Sequence, residues 1–199
     1  MKPTLRRQMK ATLAAMSPEQ AAAQSLRACQ RLIACPEFQQ AQVVMLYMPI
    51  PREVDCLPAA LAAWQAGKTV LLPRVLWESR RLLPLLCNSL DDEFITGSFG
   101  IPEPAGGDPW PVERIDLVLV PALAYDRRGG RLGRGGGLYD RFLAQDRRRA
   151  VACGLGFAQQ VLDELPTLEH DYPVDMLVSD MEVLRFGPAR RAGPATQQG

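Results

Sequence analysis

The chain has 199 residues, 23 Lys and Arg against 22 Asp and Glu, and a net charge of +1. That length fits one domain, and 47% hydrophobic with 23% charged residues is ordinary for a globular protein. Near-neutral charge and 7% aromatic content argue against a nucleic-acid partner. No apolar run reaches the roughly 18 residues that a membrane-spanning helix needs, and no leader-like run opens the chain, so a cytoplasmic protein is expected.

The single histidine, His170, excludes a His-rich metal site and leaves a Ser-His-Asp triad almost nothing to draw on. Cys29, Cys35, Cys56, Cys87 and Cys153 are scattered without a C-x-x-C pair, which reads as buried, reduced thiols.

Residues 2–16 read as a basic amphipathic helix with Leu5, Met9, Leu13 and Met16 on one face. Ser17-Pro18-Glu19-Gln20 then restarts a helix: Ser17 caps it, Pro18 takes the first helical position and Gln20 completes a capping box. That helix runs to about residue 34, with Ala22, Leu26, Cys29 and Ile33 at helical spacing. Residues 43–48 form an apolar strand. Residues 57–65 read as a helix with Leu57, Leu61 and Trp64 inward. Residues 68–72 form a short strand closed by Pro73, and 81–86 an edge strand interrupted by Pro84. From 97 to 111 the chain is so dense in Gly and Pro that no regular element fits, and long loops of this kind are usually functional. A buried strand at 116–120 precedes the glycine-rich segment, which leads into a helix from about 137 to 146. A strand follows at 150–155, then a strand pair, 176–179 with 182–185. The tail from Gly187 reads as disordered, leaving 1–186 as the folded domain. Short apolar strands alternating with helices predict a single-domain, three-layer α/β/α fold with a mostly parallel sheet. Ligands of such sheets bind at the carboxyl ends of strands.

The most informative segment is Gly129-Gly130-Arg131-Leu132-Gly133-Arg134-Gly135-Gly136-Gly137-Leu138-Tyr139-Asp140-Arg141. Six of the nine residues from 129 to 137 are glycine and two of the other three are arginine. A backbone without Cβ atoms lets several N–H groups converge on one anion. The following helix N-terminus adds partial positive charge, and arginine forks match phosphate oxygens. This is a phosphate loop, but neither a Walker A loop nor a dinucleotide fingerprint, since both patterns fail. Asp140 just beyond it makes sense if Mg²⁺ lies between carboxylate and phosphate. A phosphosugar-binding isomerase or a metabolite sensor fits these residues as well as a nucleotide-dependent enzyme does.

Further motifs narrow the reading. Val120-Pro121-Ala122-Leu123-Ala124-Tyr125-Asp126 leads into the glycine segment. Lys2 with Leu5-Arg6, Tyr47-Met48-Pro49 with Glu53-Val54-Asp55, Phe99-Gly100-Ile101-Pro102-Glu103-Pro104 and His170-Asp171 accompany it. In this order and spacing the chain, over roughly residues 2–185, resembles the 5-formyltetrahydrofolate cyclo-ligase (5,10-methenyltetrahydrofolate synthetase) family. A monomer is expected; the resemblance implies a single α/β domain. It also implies ATP- and Mg²⁺-dependent closure of 5-formyltetrahydrofolate to 5,10-methenyltetrahydrofolate, with release of ADP and phosphate. Lys2 and Arg6 would reach the ATP phosphates. The segment Arg131, Leu132, Gly133, Arg134, Gly135, Gly136, Gly137, Leu138 and Tyr139 would cradle them. Arg134 and Tyr139 would be the catalytic pair. Met48, Glu53, Phe99, Arg134 and Leu138 would line the folate pocket, and Asp140 with Asp171 would hold Mg²⁺. The chain departs from the family at Leu138, where the first of two aromatics is usual, and at Gly136, often lysine in relatives.

Overall fold

The computed structural model describes residues 1–97, 100–145 and 147–187. The chain opens with α1 (Lys2–Ala14), α2 (Pro18–Ala34) and the short α3 (Pro36–Gln40). Ser17 caps α2 as expected: its Oγ accepts from the Gln20 amide and the Gln20 side chain accepts from the Ser17 amide. Next come β1 (Val43–Met45), α4 (Leu57–Gln65), β2 (Thr69–Leu76), β3 (Arg81–Leu86), β4 (Phe94–Thr96) and β5 (Pro102–Pro104). The second half holds β6 (Leu117–Val120), β7 (Ala124–Asp126), β8 (Arg131–Leu132), α5 (Leu138–Leu143), β9 (Val151–Gly156), β10 (Val161–Leu162), β11 (Met176–Ser179) and β12 (Val183–Arg185).

One large sheet runs in the order β12-β11-β9-β6-β1-β2-β3. Its five inner strands are mutually parallel, and the edge strands β12 and β3 are antiparallel to their neighbours. Alternate side chains feed two cores. On one face Val44, Leu117, Leu119 and Cys153 pack with Met9, Leu13, Ala28, Cys29, Leu32, Ala59 and Ala63 from α1, α2 and α4. On the other, Met45, Leu71, Val118, Ala152 and Leu177 pack with Tyr125 of β7 and with Phe142 and Leu143 of α5. All five cysteines are free and buried. Among the described residues no helix is long and apolar enough to cross a membrane.

Several expectations need correcting. Leu26 and Leu61 are nearly half exposed, at 48% and 46%. The inward faces of α2 and α4 carry Ser25, Ala28, Cys29, Leu32, Ala59, Ala60 and Ala63 instead. Small side chains let these helices sit close to each other and to the sheet, which turns the bulkier leucines outward. Pro73 does not end β2; it lies directly opposite Pro84 on β3. The Pro84 carbonyl points away from β2, accepting from the Trp110 amide at 2.7 Å. The two prolines therefore form a non-hydrogen-bonded pair, in which neither missing N–H is needed by the other strand. β1 covers only 43–45, because the chain leaves the sheet after Leu46 donates to the Leu71 carbonyl. The segment 97–111 does contain a regular element, β5, paired antiparallel with β4. The expected tail lies outside the described residues from 188 onward.

The largest difference concerns the glycine segment. A hairpin of β7 and β8 stands between β6 and the glycine loop, and β10 pairs with its outer edge. Gly129 and Gly130 belong to its turn. Asp126 is 2% exposed, and its Oδ1 accepts from the amides of Arg128 and Gly130, both at 2.8 Å. This is an Asx-type turn that the run of glycines hid.

Candidate functional site

The glycine loop proper spans 133–137. Gly135 and Gly137 have φ of +110° and +65°, in the region that favours glycine. Gly137 is the residue before α5, so the loop delivers its backbone directly onto that helix. Leu132, at its root, is buried, and its carbonyl accepts from the Leu123 amide at 2.8 Å. One wall is Trp77: a Cβ placed on Gly136 would lie 3.8 Å from the indole ring.

Helix α1 is laid across this loop. Lys2, Arg6, Met9 and Leu13 share one helical face by their spacing. Met9 and Leu13 are buried in the core, and that burial carries the two cations into the site. Arg6 Nε donates to the Gly133 carbonyl at 2.9 Å. Lys2 Nζ donates to Asp171 Oδ2 in an ion pair. At the far end Arg52 Nη1 donates to the Leu13 carbonyl at 3.0 Å, tying the helix to the loop that follows β1.

That loop brings Glu53. Its side chain is 8% exposed, and its Oε1 accepts from Arg134 Nε at 3.0 Å. Oε2 accepts from the Ile50 amide at 3.3 Å. Burial pushes the Glu53 carboxyl up from its ordinary value, although Arg134 and the Ile50 amide pull it down. Met48 lies in the same loop, half-buried against the core. Tyr139 lies on the first turn of α5, and burial pushes its phenol up, with the charge of Glu53 adding to the effect and Arg131 opposing it. It remains a neutral O–H at working pH. Leu138 opens α5 and packs on the second core. Phe99 lies outside the described residues.

Asp140 is tied to the backbone of Tyr172, the residue after Asp171. Asp140 Oδ1 accepts from Arg131 Nη2 at 2.5 Å and from the Tyr172 amide at 3.0 Å. Arg131 Nε donates to the Tyr172 carbonyl at 3.1 Å, and the Arg131 side chain is only 4% exposed. The Asp171 carboxyl sits below its ordinary value: burial would raise it, but hydrogen bonds from Lys2 and the Leu168 amide outweigh that. A cavity of about 310 Å³ opens beside this group, lined by Arg128, Arg131, Thr167, Leu168, Asp171 and Tyr172 among others.

Among the described residues no three His, Cys, Asp or Glu side chains converge as a complete metal-ligand set. The Asp140 carboxylate still suits Mg²⁺, which commonly takes only one or two protein oxygens and completes its shell with phosphate and water. Oxygen-only donors of this kind suit a hard cation. Arg6 and Arg134 bring positive charge to the loop, and Lys2 lies one turn before Arg6 on α1. The arrangement can hold a polyphosphate with its cation on one side and a second substrate near Glu53 on the other. The link from Arg131 to Asp140 and Tyr172, across up to 41 positions, could not be read from the sequence.

This is a mixed α/β fold built on one large, mostly parallel sheet. Residues 1–180 match the model of the 5-formyltetrahydrofolate cyclo-ligase family, and the chain belongs to that family. It is 32% identical over 173 residues to the 5-formyltetrahydrofolate cyclo-ligase of Escherichia coli K12, covering 85% of this chain and 94% of that one. The mouse protein of the same name is 28% identical over 181 residues, covering 86% and 89%. Among solved structures, the Aquifex aeolicus 5,10-methenyltetrahydrofolate synthetase superposes with a TM-score of 0.82 at 32% identity, covering 100% of this chain and 99% of that one. The Mycoplasma pneumoniae 5,10-methenyltetrahydrofolate synthetase shares the fold, with a TM-score of 0.72 at 22% identity, covering 90% and 98%.

Proposed function

We propose that the chain closes 5-formyltetrahydrofolate to 5,10-methenyltetrahydrofolate at the expense of ATP, releasing ADP and phosphate. The observation that carries this reading is convergence. Arg6 from the first helix bonds the glycine loop, Arg134 of that loop pairs with Glu53 from the loop after β1, and Lys2, one turn before Arg6, pairs with Asp171.

The chemical difficulty is that a formamide carbon is a weak electrophile and its oxygen a poor leaving group. Attack of the formyl oxygen on the γ-phosphorus breaks its bond to the bridging oxygen of ADP, which leaves, and makes the formyl oxygen part of a phosphate ester. N10 of the folate then adds to the activated carbon and gives up its proton to solvent, the C–O bond breaks and phosphate departs, leaving the five-membered ring. No covalent enzyme intermediate is needed, which suits a site without a nucleophilic Ser, Cys or His. Alignment and charge neutralisation do the work, as is usual in phosphoryl transfer. Lys2, Arg6 and the amides of 133–137 hold the phosphates, and Arg134 faces the oxygens that gain charge as the phosphoryl group moves. Asp140 and Asp171 would hold Mg²⁺, whose positive charge offsets that of the phosphate oxygens. Glu53, Met48 and Leu138 take the pterin side. Tyr139, a neutral hydrogen-bond donor, sits between the two substrates.

Residues 1–186 form the working unit, acting as a monomer in the cytoplasm without a nucleic-acid or membrane partner. Purified protein mixed with 5-formyltetrahydrofolate should generate the methenyl absorbance only when ATP and a divalent cation are both present. Turnover that persists after complete removal of ATP sinks the reading.

A further inference from the structure

We propose that Arg131 is a positioning residue for the metal-binding carboxylates rather than a phosphate ligand; this rests on the function proposed above. Arg131 lies in the glycine-and-arginine run, and its side chain is 4% exposed. Two of its three nitrogens are engaged away from the loop, while Nη1 lies beside Gly133. Nη2 donates to Asp140 Oδ1 at 2.5 Å and Nε donates to the Tyr172 carbonyl at 3.1 Å. The Tyr172 amide donates to the same Asp140 Oδ1 at 3.0 Å.

These three bonds close a ring through Arg131, Asp140 and the backbone of Tyr172. The ring has two consequences. It saturates one oxygen of Asp140, so that the other, Oδ2, is the one presented to a cation. It also pins the backbone next to Asp171, and so fixes the spacing of the two carboxylates. A planar fork can make both contacts at once, whereas an ammonium is a point charge without that geometry. Groups that orient a metal-bound carboxylate in this way are worth roughly 10- to 100-fold in metal affinity.

The charge of Arg131 by itself would repel a cation, so the substitution that separates geometry from charge is Arg131→Lys. It keeps the positive charge and removes the fork. The experiment uses the full chain with a non-hydrolysable ATP analogue and Mn²⁺ as the metal. Free Mn²⁺ is counted by electron paramagnetic resonance, and analogue affinity without metal is measured in parallel by calorimetry. Mn²⁺ affinity should fall about 10- to 100-fold, while metal-free analogue affinity stays within about twofold of the parent. Should Arg131→Lys fail to fold, Arg131→Gln, which also lacks the fork, is expected to show the same pattern. Unchanged Mn²⁺ affinity with a weakened metal-free analogue would make Arg131 a direct phosphate ligand and overturn the inference. A lower melting temperature with both affinities intact would make it purely structural, with the same result. If the parent itself holds no Mn²⁺ in the presence of the analogue, the proposed function falls and this inference with it.

Discussion

Glu53 and Arg134, 81 positions apart in the chain, form an ion pair with Nε 3.0 Å from Oε1. The glutamate is 8% exposed and the arginine 38%, so the pair joins a buried anion to a cation that solvent and ligands can reach. In the proposed reaction each serves a different substrate. The two must therefore loosen their hold on each other when both substrates are present.

That division of labour has a kinetic signature. Arg134→Ala should chiefly lower kcat, since its contact strengthens as the phosphoryl group moves. Glu53→Gln should chiefly raise KM for the folate, because a pterin hydrogen bond is equally present in ground and transition states. A charged hydrogen bond is worth about 1.5–3 kcal/mol, or roughly 10- to 150-fold. Steady-state kinetics with each substrate varied decide the matter. A Glu53→Gln enzyme altered only in KM for ATP would place the folate pocket wrongly.

Glu53 also makes stability depend on pH. Burial holds its folded carboxyl above the ordinary value of 4.5, so the folded chain binds that proton more tightly than the unfolded chain. Its contribution is full below the ordinary value and is lost as pH rises through the raised one. Glu53→Gln should therefore melt higher than the parent at neutral pH, with the gap closing toward pH 4.5. Thermal melts across that window test this. A variant that melts lower at every pH would mean that the bond with Arg134 outweighs the cost of burying the charge.

Gly136 offers a gain of function. Its φ is not in the positive region, and an added Cβ would meet only Leu138 at 3.6 Å and the Trp77 ring at 3.8 Å, ordinary contact distances. Lysine therefore fits the backbone there. Gly136→Lys adds a cation beside the loop and should lower KM for ATP by up to about tenfold, which is roughly 1.4 kcal/mol. Initial rates at varied ATP and fixed folate provide the check. An unchanged or raised KM would show that the side chain points away from the phosphates.

Gly130 is constrained for another reason. A Cβ there would land on the Asp126 carboxylate. That carboxylate also accepts from the Leu165 amide at 3.0 Å, so it cannot move without breaking buried bonds. Gly130→Ala should cost about 1–3 kcal/mol, each kcal/mol lowering the melting temperature by roughly 2–4 °C at this chain length. Gly106, with nothing within 4 Å of the added atom, is the control. Equal melting temperatures for the two alanine variants would refute the packing argument.

The legible parts of the sequence were those in which one residue type has one physical use. Ser17-Pro18-Glu19-Gln20 specified a helix start through its own hydrogen bonds. The apolar runs at 117–120 and 151–156 specified inner strands through burial on both faces. Met9 and Leu13 marked the face of α1 that carries Lys2 and Arg6. What stayed hidden depended on partners distant in the chain. Pro73 reads as a strand breaker until Pro84 is seen opposite it. Leu26 and Leu61 read as core until the alanines of α2 and α4 are seen in contact with the sheet. The bonds of Arg131 to Asp140 and Tyr172 appear only when those residues are placed around it. The two-residue strand β8 is too short for any period to reveal.

The buried thiols have a practical consequence. All five are closed off in the folded chain, and burial pushes Cys29 up to about 12 and Cys87 up to about 11. Thiolate, the form that alkylating reagents attack, is therefore scarce at neutral pH as well as inaccessible. A maleimide dye added to the native protein should remain unreacted, and each molecule that opens should become permanently labelled. The cysteines thus act as a built-in counter of unfolding, readable without an engineered probe.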